Sequence, residues 1–388
     1  MRRPAAFATF ASFATYAAIA VSCSLAVALV SACGTTDSQA DTDVSASAPD
    51  DAAGVAADAD ADATDPGAPL PFENAGVTAI ESEGAAILDN GLLSVHFDPA
   101  VGSITVVDAA GRQLLVSAES RARYRINDEE FDVGSKDPGV RAVTAAAFAD
   151  PLGAGVTLIV GFEPHNDARA QVAPPSLITT VDLRAGAGFV TARTQVRWAT
   201  PPAGDLKITH ISPLVADADH GGALFVGDDP AIHRVLENGS DLYFDMAAQL
   251  HVVGEVESLL FGPGSSSNWS IALYDPASRK SVVAGFLSAE RGIGIFAVDY
   301  YEKTAKLQGA SKGFTRFDAI SHYMDLGHGL IAGPDGTDGT DGTEGTEGSL
   351  TSELLYVDLL APTVLEGLES FARRYAERIG KKVATDIP

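Results

Sequence analysis

The chain has 388 residues, with 52 acidic against 26 basic side chains and a formal net charge of −26 at pH 7. A surface this acidic lacks the Lys and Arg patches that neutralise phosphates, which excludes nucleic acid as a partner, whereas neutral ligands such as sugars stay compatible with it. Both cysteines, Cys23 and Cys33, lie in the first 33 residues, so we expect neither a disulfide framework nor a Cys-ligated metal site in the rest of the chain.

Residues 1–33 are typical of a signal peptide. Arg2 and Arg3 precede a long uncharged stretch, and small residues come directly before Cys33. This layout resembles the bacterial lipobox, which predicts lipid attachment at Cys33; Cys23 is a weaker candidate. A transmembrane helix is the alternative, because the stretch is long enough to span a bilayer. We expect a lipoprotein held to the membrane only by its lipid anchor, at the outer membrane or facing the periplasm.

Two segments are predicted to be flexible. Residues 34–70 contain nine Asp and no Lys or Arg, so they cannot bury enough apolar surface to fold and should form a disordered acidic tether. Residues 335–348 repeat an acidic residue, Gly and Thr, which predicts a flexible hairpin loop, with weak calcium binding as the alternative.

Residues 71–362, which follow the tether and include the repeat loop, are predicted to be all-β. Short segments alternate apolar and polar side chains and are separated by turn residues, which indicates stacked antiparallel sheets, a large β-supersandwich of the galactose-mutarotase type. Strands are predicted at 89–98, 103–108, 155–162, 176–183, 188–198, 206–210, 270–274, 281–287, 292–299, 313–324 and 353–360, with a short helix near 229–237.

One helix is predicted to follow, from Thr363 to Gly380. Thr363 and Glu366 form a capping box, and Gly380 is a typical stop residue. Its apolar stripe comprises Leu365, Leu368, Phe371, Ala372, Tyr375 and Ile379. This stripe is wider than one sandwich edge needs, so we expect part of it to be exposed, with Phe371 and Tyr375 supporting self-association or docking to a separate chain.

Taken alone, the residues predict no catalytic constellation, cofactor or metal site. Residues 309–313 match Gly-x-Ser-x-Gly, but a strand follows where that motif requires a helix. The eight histidines show no metal-binding spacing and are expected to be scattered structural or surface residues. Carboxylate pairs of the glycosidase kind cannot be selected among 52 acids without a structure.

The second half of the chain carries a resemblance. The stretch from Ser267 through Trp269 to Asp275, the Gly285-Phe286-Leu287 strand, the Ser352-Glu353 strand and the final helix follow one another in order. Together they resemble the N-terminal β-supersandwich domain of family 36-type glycoside hydrolases, the α-galactosidase and raffinose-synthase-like enzymes. The resemblance extends over residues 79–388 and is strongest over 265–388.

The resemblance implies a carbohydrate ligand and a catalytic (β/α)8 barrel after the linker helix. A barrel needs about 250 residues, and residues 363–388 hold only the helix and the chain end, so we expect no catalytic residue in this chain and no activity from it alone. Asn238 and Asp241, in a loop similar to the Asn-Gly loop of that family, and Trp269 are the predicted sugar-facing residues. A β-turn at Asn238 and a core position for Trp269 are the alternatives.

These observations predict the sandwich portion of an α-galactosidase-like glycoside hydrolase. The alternative is a stand-alone cell-surface lipoprotein that binds glycans or a partner protein. Self-association, or assembly with a separate barrel chain, is expected if the apolar stripe of the helix is uncovered.

Overall fold

A computed structural model describes residues 67–165, 173–199, 206–226, 234–238, 248–252, 265–289, 292–299, 316–323 and 349–381. All of them belong to one compact unit. Cys33, the Gly-x-Ser-x-Gly segment and the repeat loop 335–348 lie outside the described residues. The predicted tether extends to residue 70, but Ala68 exchanges backbone hydrogen bonds with Ala145 and Leu70 packs against the core. The folded domain therefore begins before residue 71.

The described residues form 22 strands and one α-helix. The first eleven strands are β1 (Phe72–Asn74), β2 (Val77–Ser82), β3 (Ala85–Asp89), β4 (Leu93–Asp98), β5 (Ser103–Asp108), β6 (Gln113–Ile126), β7 (Glu129–Gly134), β8 (Gly139–Asp150), β9 (Gly153–Pro164), β10 (Ser176–Arg184) and β11 (Phe189–Arg197). The others are β12 (Leu206–Asp217), β13 (Ala223–Leu224), β14 (Arg234–Asn238), β15 (Ala248–Val252), β16 (Ser265–Asn268), β17 (Ser270–Asp275), β18 (Lys280–Phe286), β19 (Ile293–Asp299), β20 (Arg316–His322), β21 (Ser349–Thr351) and β22 (Leu355–Asp358). A 3-10 turn at Ala218–His220 and helix α1 (Val364–Arg378) complete the set.

The strands form two antiparallel sheets. The first has twelve strands in the order β1-β2-β3-β4-β5-β6-β12-β20-β19-β16, with β7 and β13 also paired to β6. The second has ten, in the order β15-β14-β17-β18-β22-β11-β10-β9-β8, with β21 also paired to β11. Strands far apart in sequence are neighbours in both sheets, most notably β6, β12 and β20 in the first. The predicted all-β class and stacked antiparallel sheets are confirmed.

Period-two alternation explains why these segments form strands. In β4, Leu93, Val95 and Phe97 are buried while the residues between them are not. Such alternation directs one set of side chains between the sheets and the other set outwards. The largest core cluster contains inward residues of both sheets, so it lies between them.

One predicted element is corrected by the structure. Residues 234–237, predicted as part of a short helix near 229–237, belong to strand β14, which pairs with both β15 and β17. Val235 is fully buried in the main core. Two antiparallel neighbours supply backbone hydrogen bonds on both sides, and this tertiary pairing outweighs the local helical preference. Residues 229–233 lie outside the described residues.

The turn between β4 and β5 requires a glycine at position 102. Gly102 has φ +81°, and a Cβ added there would lie 1.9 Å from the carbonyl oxygen of Ser135. The hydroxyl of Ser135 also donates to the Gly102 carbonyl at 2.7 Å. A side chain at this position would therefore separate the hairpin from the β7–β8 connection.

Helix α1 confirms the predicted helix and its N-cap. The backbone N–H of Glu366 donates to Thr363 Oγ1 at 3.2 Å, and the Thr363 hydroxyl donates to Glu366 Oε2 at 3.0 Å. The helix packs on the outer face of the ten-stranded sheet, where Gly367 and Phe371 are buried. Any Cβ at Gly367 would lie 2.4 Å from Val283 Cγ2, so the glycine permits this close approach.

The apolar stripe of α1 divides into a packed and an exposed part. Phe371 is 8% exposed and contacts the ring of Tyr356, whose centroid is 5.8 Å away. Tyr375 is half-buried, whereas Leu365 is 66% and Ile379 45% exposed. The expectation that part of the stripe is uncovered agrees with these values, but Phe371 was wrongly assigned to the self-association surface. It is a core residue because it fills the space above Gly285.

Candidate functional site

A band of polar side chains crosses the outer face of the twelve-stranded sheet. It is called the polar strip below and comprises Glu119, Arg121, Arg123 and Arg125 of β6, Glu130 and Asp132 of β7, His210 and Ser212 of β12, and Arg316, Asp318 and His322 of β20. The alternate residues of these strands, such as Ala122, Tyr124 and Phe317, are buried in the core. Strand alternation therefore projects the polar strip away from the other sheet.

The charges of the polar strip are paired across neighbouring strands. Asp132 lies opposite Arg123 and accepts from its Nε at 3.0 Å. Glu130 lies opposite Arg125, whose Nη2 is 3.4 Å from its Oε2, and its other oxygen is 3.3 Å from Arg123 Nε. Burial alone would lower the pKa of Arg123, but Asp132, Glu130 and Asp318 raise it above its ordinary value. Donors and acceptors thus alternate at fixed positions on this face.

Two histidines meet at the centre of the polar strip. His210 and His322 are directly opposite each other on β12 and β20, and a hydrogen bond of 3.0 Å joins His210 Nε2 to His322 Nδ1. The second nitrogen of His210 lies 3.0 Å from Thr209 Oγ1. One nitrogen of the bonded pair must therefore donate and the other accept.

Both histidines are held neutral at physiological pH. Burial lowers the pKa of His210 to about 3, with smaller contributions from His322, Arg123 and Arg125. Burial also lowers the pKa of His322, although a hydrogen bond with the Thr209 backbone opposes the change. Neutral imidazoles present both a donor and an acceptor, which protonated imidazoles do not.

The carboxyl group of Asp318, on β20, is buried at one end of the polar strip. Burial raises its pKa, and the nearby Arg316, a hydrogen bond from Ser212 and Arg121 oppose that rise. Arg316 Nη2 lies 3.2 Å from Asp318 Oδ2. Asp318 and His322 are four residues apart on one strand, about 13 Å at the usual strand rise. The polar strip therefore extends over at least about 13 Å along β20.

A second buried carboxylate closes the strip beside the 3-10 turn. Glu119 Oε1 accepts from Arg121 Nη2 at 2.6 Å and lies 3.1 Å from His220 Nδ1. The Lys136 ammonium donates to the backbone carbonyls of Ser117 and His220, at 2.6 and 2.7 Å. A Cβ at Gly134 would lie 2.6 Å from Glu119 Oε2, so the glycine makes room for this cluster.

The arrangement suits a ligand rich in hydroxyl groups. A sugar hydroxyl both donates and accepts, and it can use a carboxylate, a guanidinium and a neutral imidazole at neighbouring positions. The ionic groups of the strip are compensated by partners on the same face, so a neutral ligand leaves no charge unpaired. A neutral imidazole and a carboxyl group with a raised pKa are also groups that can exchange protons.

Among the predicted sugar-facing residues, Trp269 has a described side chain, and it lies outside the polar strip. Trp269 lies between β16 and β17, with its ring edge-on to Tyr375 at a centroid distance of 6.1 Å, under helix α1. This position favours the packing alternative for Trp269. Asn238 ends β14, opposite Ala248, and its side chain is outside the described residues, as is all of Asp241. Sugar contact from Asn238 and Asp241 stays a prediction.

Trp269 instead connects the two sheets. Its N–H donates to the Gly294 carbonyl of the twelve-stranded sheet at 2.8 Å, and its carbonyl accepts from Phe286 of the ten-stranded sheet at 3.1 Å. Its φ of +70° is rare for a bulky residue. The Trp269-to-Asp275 stretch that carries the family resemblance is thus the point where the chain changes sheets. Asp275, fully buried, caps the next turn by accepting from Ala277 N at 2.9 Å.

The buried Glu353, which lies between β21 and β22, has a structural position as well. Its side chain accepts hydrogen bonds from Ser288 Oγ and, at 2.8 Å, from Gly292 N. Its own N–H donates to Ser321 Oγ at 2.9 Å. Glu353 therefore joins segments of both sheets, on the core side of β20 rather than on the polar strip.

Among the described residues, no group of three or more His, Cys, Asp or Glu is placed to hold a metal ion. Within the same part of the chain, no helix is both long and apolar enough to cross a membrane.

No family model and no curated protein sequence matches the chain. Solved structures give matches at low scores. An alpha-N-acetylgalactosaminidase from Bifidobacterium bifidum, in complex with GalNAc, matches with a TM-score of 0.41 and 11% identity over 80% of this chain and 39% of its own. An alpha-mannosidase from Enterococcus faecalis has a TM-score of 0.41 and 10% identity, over 79% of this chain and 32% of its own.

A TPR-domain containing protein from Parabacteroides distasonis matches with a TM-score of 0.34 and 9% identity, over 75% of this chain and 51% of its own. The chain thus spans between about a third and a half of the length of these three proteins. TM-scores below 0.5 at this identity assign no family to it.

Proposed function

We propose that this protein is the carbohydrate-binding sandwich portion of an α-galactosidase-like glycoside hydrolase, and that the polar strip binds a neutral saccharide. The observation that supports this most is the compensated row Asp132–Arg123–His210–His322 on the outer sheet face. Its paired carboxylates and guanidiniums offer acceptors and donors to hydroxyl groups, and its neutral histidine pair adds no charge. The sequence resemblance supplies the sugar class, α-galactosides.

The lipid anchor is part of the same proposal. Cys33 carries the acyl chains and residues 34–66 hold the sandwich away from the membrane surface, where it meets saccharides. Several acyl chains on one cysteine would make the attachment stable, because each buried methylene adds about 0.8 kcal/mol. A stand-alone lipoprotein that binds glycans uses the same strip and differs only in having no hydrolytic partner.

Calorimetric titration of the full-length chain with raffinose, melibiose, maltose and cellobiose tests the binding. We expect binding of the two α-galactosides, a loss of at least tenfold in affinity in His322→Ala, and no change in His96→Ala, a matched histidine on strand β4. Equal affinity in wild type and His322→Ala would contradict the assignment of the polar strip. Release of galactose from melibiose by the purified chain would contradict a purely binding role.

A further inference from the structure

A cleft lies at the start of β6, at the opposite end of that strand from the polar strip. The β17–β18 turn and the end of β22 border it. Its volume is about 140 Å³. The residues that line it include the cations Arg112, Arg279 and Lys280 and the apolar side chains Phe225, Val282 and Leu360. Arg112 and Arg123 are eleven positions apart on or beside β6, roughly 36 Å at the usual strand rise. The cleft is therefore separate from the polar strip.

Three cations converge on this cleft in a chain whose formal net charge is −26. Arg112 is paired through Nη2 with Asp108 at 2.9 Å, but its Nε is buried and has no hydrogen-bond partner among the described residues. Neither Arg279 nor Lys280 forms an ion pair with any residue that the structure describes. Unlike the arginines of the polar strip, Arg279 and Lys280 have no carboxylate partner among the described residues, whereas Arg112 is paired with Asp108.

The acid at the end of β17, Asp275, is engaged with the backbone of the β17–β18 turn. It lies opposite Lys280 in the β17–β18 ladder, yet its carboxylate accepts from the backbone N–H groups of Ala277 and Ser278, at 2.9 and 3.2 Å. Asp275 is fully buried below the turn. An anion entering the cleft would therefore meet donors without competition from this carboxylate.

Most of the residues that line the cleft are apolar. Val282 is 2% exposed and belongs to the main core, and Leu360 packs against that core. Phe225 offers an aromatic wall. An apolar cavity of about 150 Å³ in a protein can take up benzene. The space below the cationic rim thus fits a single ring or a short aliphatic chain.

We propose that this cleft, called the basic cleft, binds a small organic carboxylate, with its carboxylate among Arg112, Arg279 and Lys280 and its apolar part against Phe225 and Val282. The bidentate fork of an arginine matches a carboxylate in geometry as well as charge. Contacts with its apolar part should make such a ligand bind more tightly than an inorganic anion.

The probes are benzoate, its neutral counterpart benzyl alcohol, and inorganic phosphate. Each is titrated into the full-length chain in a phosphate-free, low-salt buffer, and binding is followed by calorimetry. We expect benzoate to bind at least tenfold more tightly than either benzyl alcohol or phosphate. Equal binding of benzyl alcohol would overturn the role of the cations, and equal binding of phosphate would overturn the role of the apolar walls.

The double variant Arg279→Gln/Lys280→Gln removes the two cations that have no carboxylate partner among the described residues, and circular dichroism checks its fold. The matched control is Arg373→Gln/Lys381→Gln, which removes two exposed cations from the region of α1. Benzoate affinity should fall at least fivefold in the first variant and stay unchanged in the control. A similar loss in both would show a general charge effect and overturn the proposal. Raffinose binding should be unchanged in both, which separates this site from the polar strip.

Discussion

His210 and His322 share a hydrogen bond of 3.0 Å although 112 residues separate them in the chain. The bond exists because β12 and β20, which hold them, are neighbours in the twelve-stranded sheet. Around the pair, Arg123 and Arg125 of β6 face it from one side, and Asp132 and Glu130 of β7 lie beyond them. The cluster therefore combines a neutral histidine pair with compensated charges.

The lowered pKa values of this pair predict acid sensitivity. A histidine whose pKa is lower in the folded than in the unfolded state resists protonation only when folded, so its stabilisation is complete above about pH 6.5 and is lost as pH falls towards its folded pKa, about 3 for His210. One pKa unit corresponds to about 1.4 kcal/mol. We expect the free energy of unfolding to fall by at least about 1 kcal/mol between pH 7 and pH 5.

Urea denaturation at the two pH values, on wild type and on His210→Gln/His322→Gln, measures this effect. The quantity compared is the change in the free energy of unfolding between the two pH values, because the variant itself can change stability at pH 7. The pH dependence should become shallower in this variant and should persist in His96→Gln. An unchanged slope in the double variant would show that other groups control acid unfolding.

Much of the fold could be predicted from the sequence because strand alternation and helix capping are local signals. The Thr363–Glu366 capping box and the strands 176–183 and 281–287 were recognisable from a few adjacent residues. The sequence does not predict strands β6 to β8, and it predicts only residues 206–210 of β12. Polar residues, such as Ser212 in β12, interrupt the apolar alternation of these strands. Burial of those polar residues depends on partners from distant strands.

The polar strip could not be predicted for a related reason. Its histidines were treated as scattered, since no spacing pattern connects position 210 with position 322. Their contact depends on the pairing of non-consecutive strands and on the register shifts between Ile208 and His210 and between Ile211 and Leu214. A bulge changes which face a side chain occupies. Such shifts have no short sequence signature.

Gly367→Ala should destabilise the domain although alanine is the better helix former. Helix propensity alone would favour alanine by about 1 kcal/mol. The added Cβ would lie 2.4 Å from Val283 Cγ2 and 2.9 Å from Ala361 Cβ, so the helix must move away from the sheet. Overpacking of this kind costs about 1–3 kcal/mol. Thermal unfolding compares it with Glu369→Ala at an exposed position of α1, where we expect almost no change; a stabilised Gly367→Ala would refute the close packing.

Replacement of Phe371 and of Leu365 by serine should have separable effects. Phe371 is 8% exposed and Leu365 is 66% exposed. Truncating a buried phenylalanine costs about 3–5 kcal/mol, whereas an exposed surface substitution usually changes stability by less than about 0.5 kcal/mol. Chemical denaturation measures both. Equal destabilisation by the two changes would contradict the division of the helix stripe.

Cys33→Ser should release the protein from the membrane. Without the predicted acyl chains, the chain should move from the membrane fraction to the soluble fraction after cell lysis and ultracentrifugation. Cys23→Ser is the matched control and should leave the distribution unchanged. Retention of Cys33→Ser in the membrane fraction would favour the transmembrane-anchor alternative.

The central claim, that the polar strip binds a saccharide, is tested most directly by side-chain NMR of histidine. The full-length chain is labelled with ¹⁵N in histidine rings, and raffinose is added stepwise. We predict that the ring nitrogens of His210 and His322 shift in a saturable manner, with the affinity measured by calorimetry, while those of His96 stay in place. Saturable raffinose binding without any shift at His210 and His322 would contradict the claim.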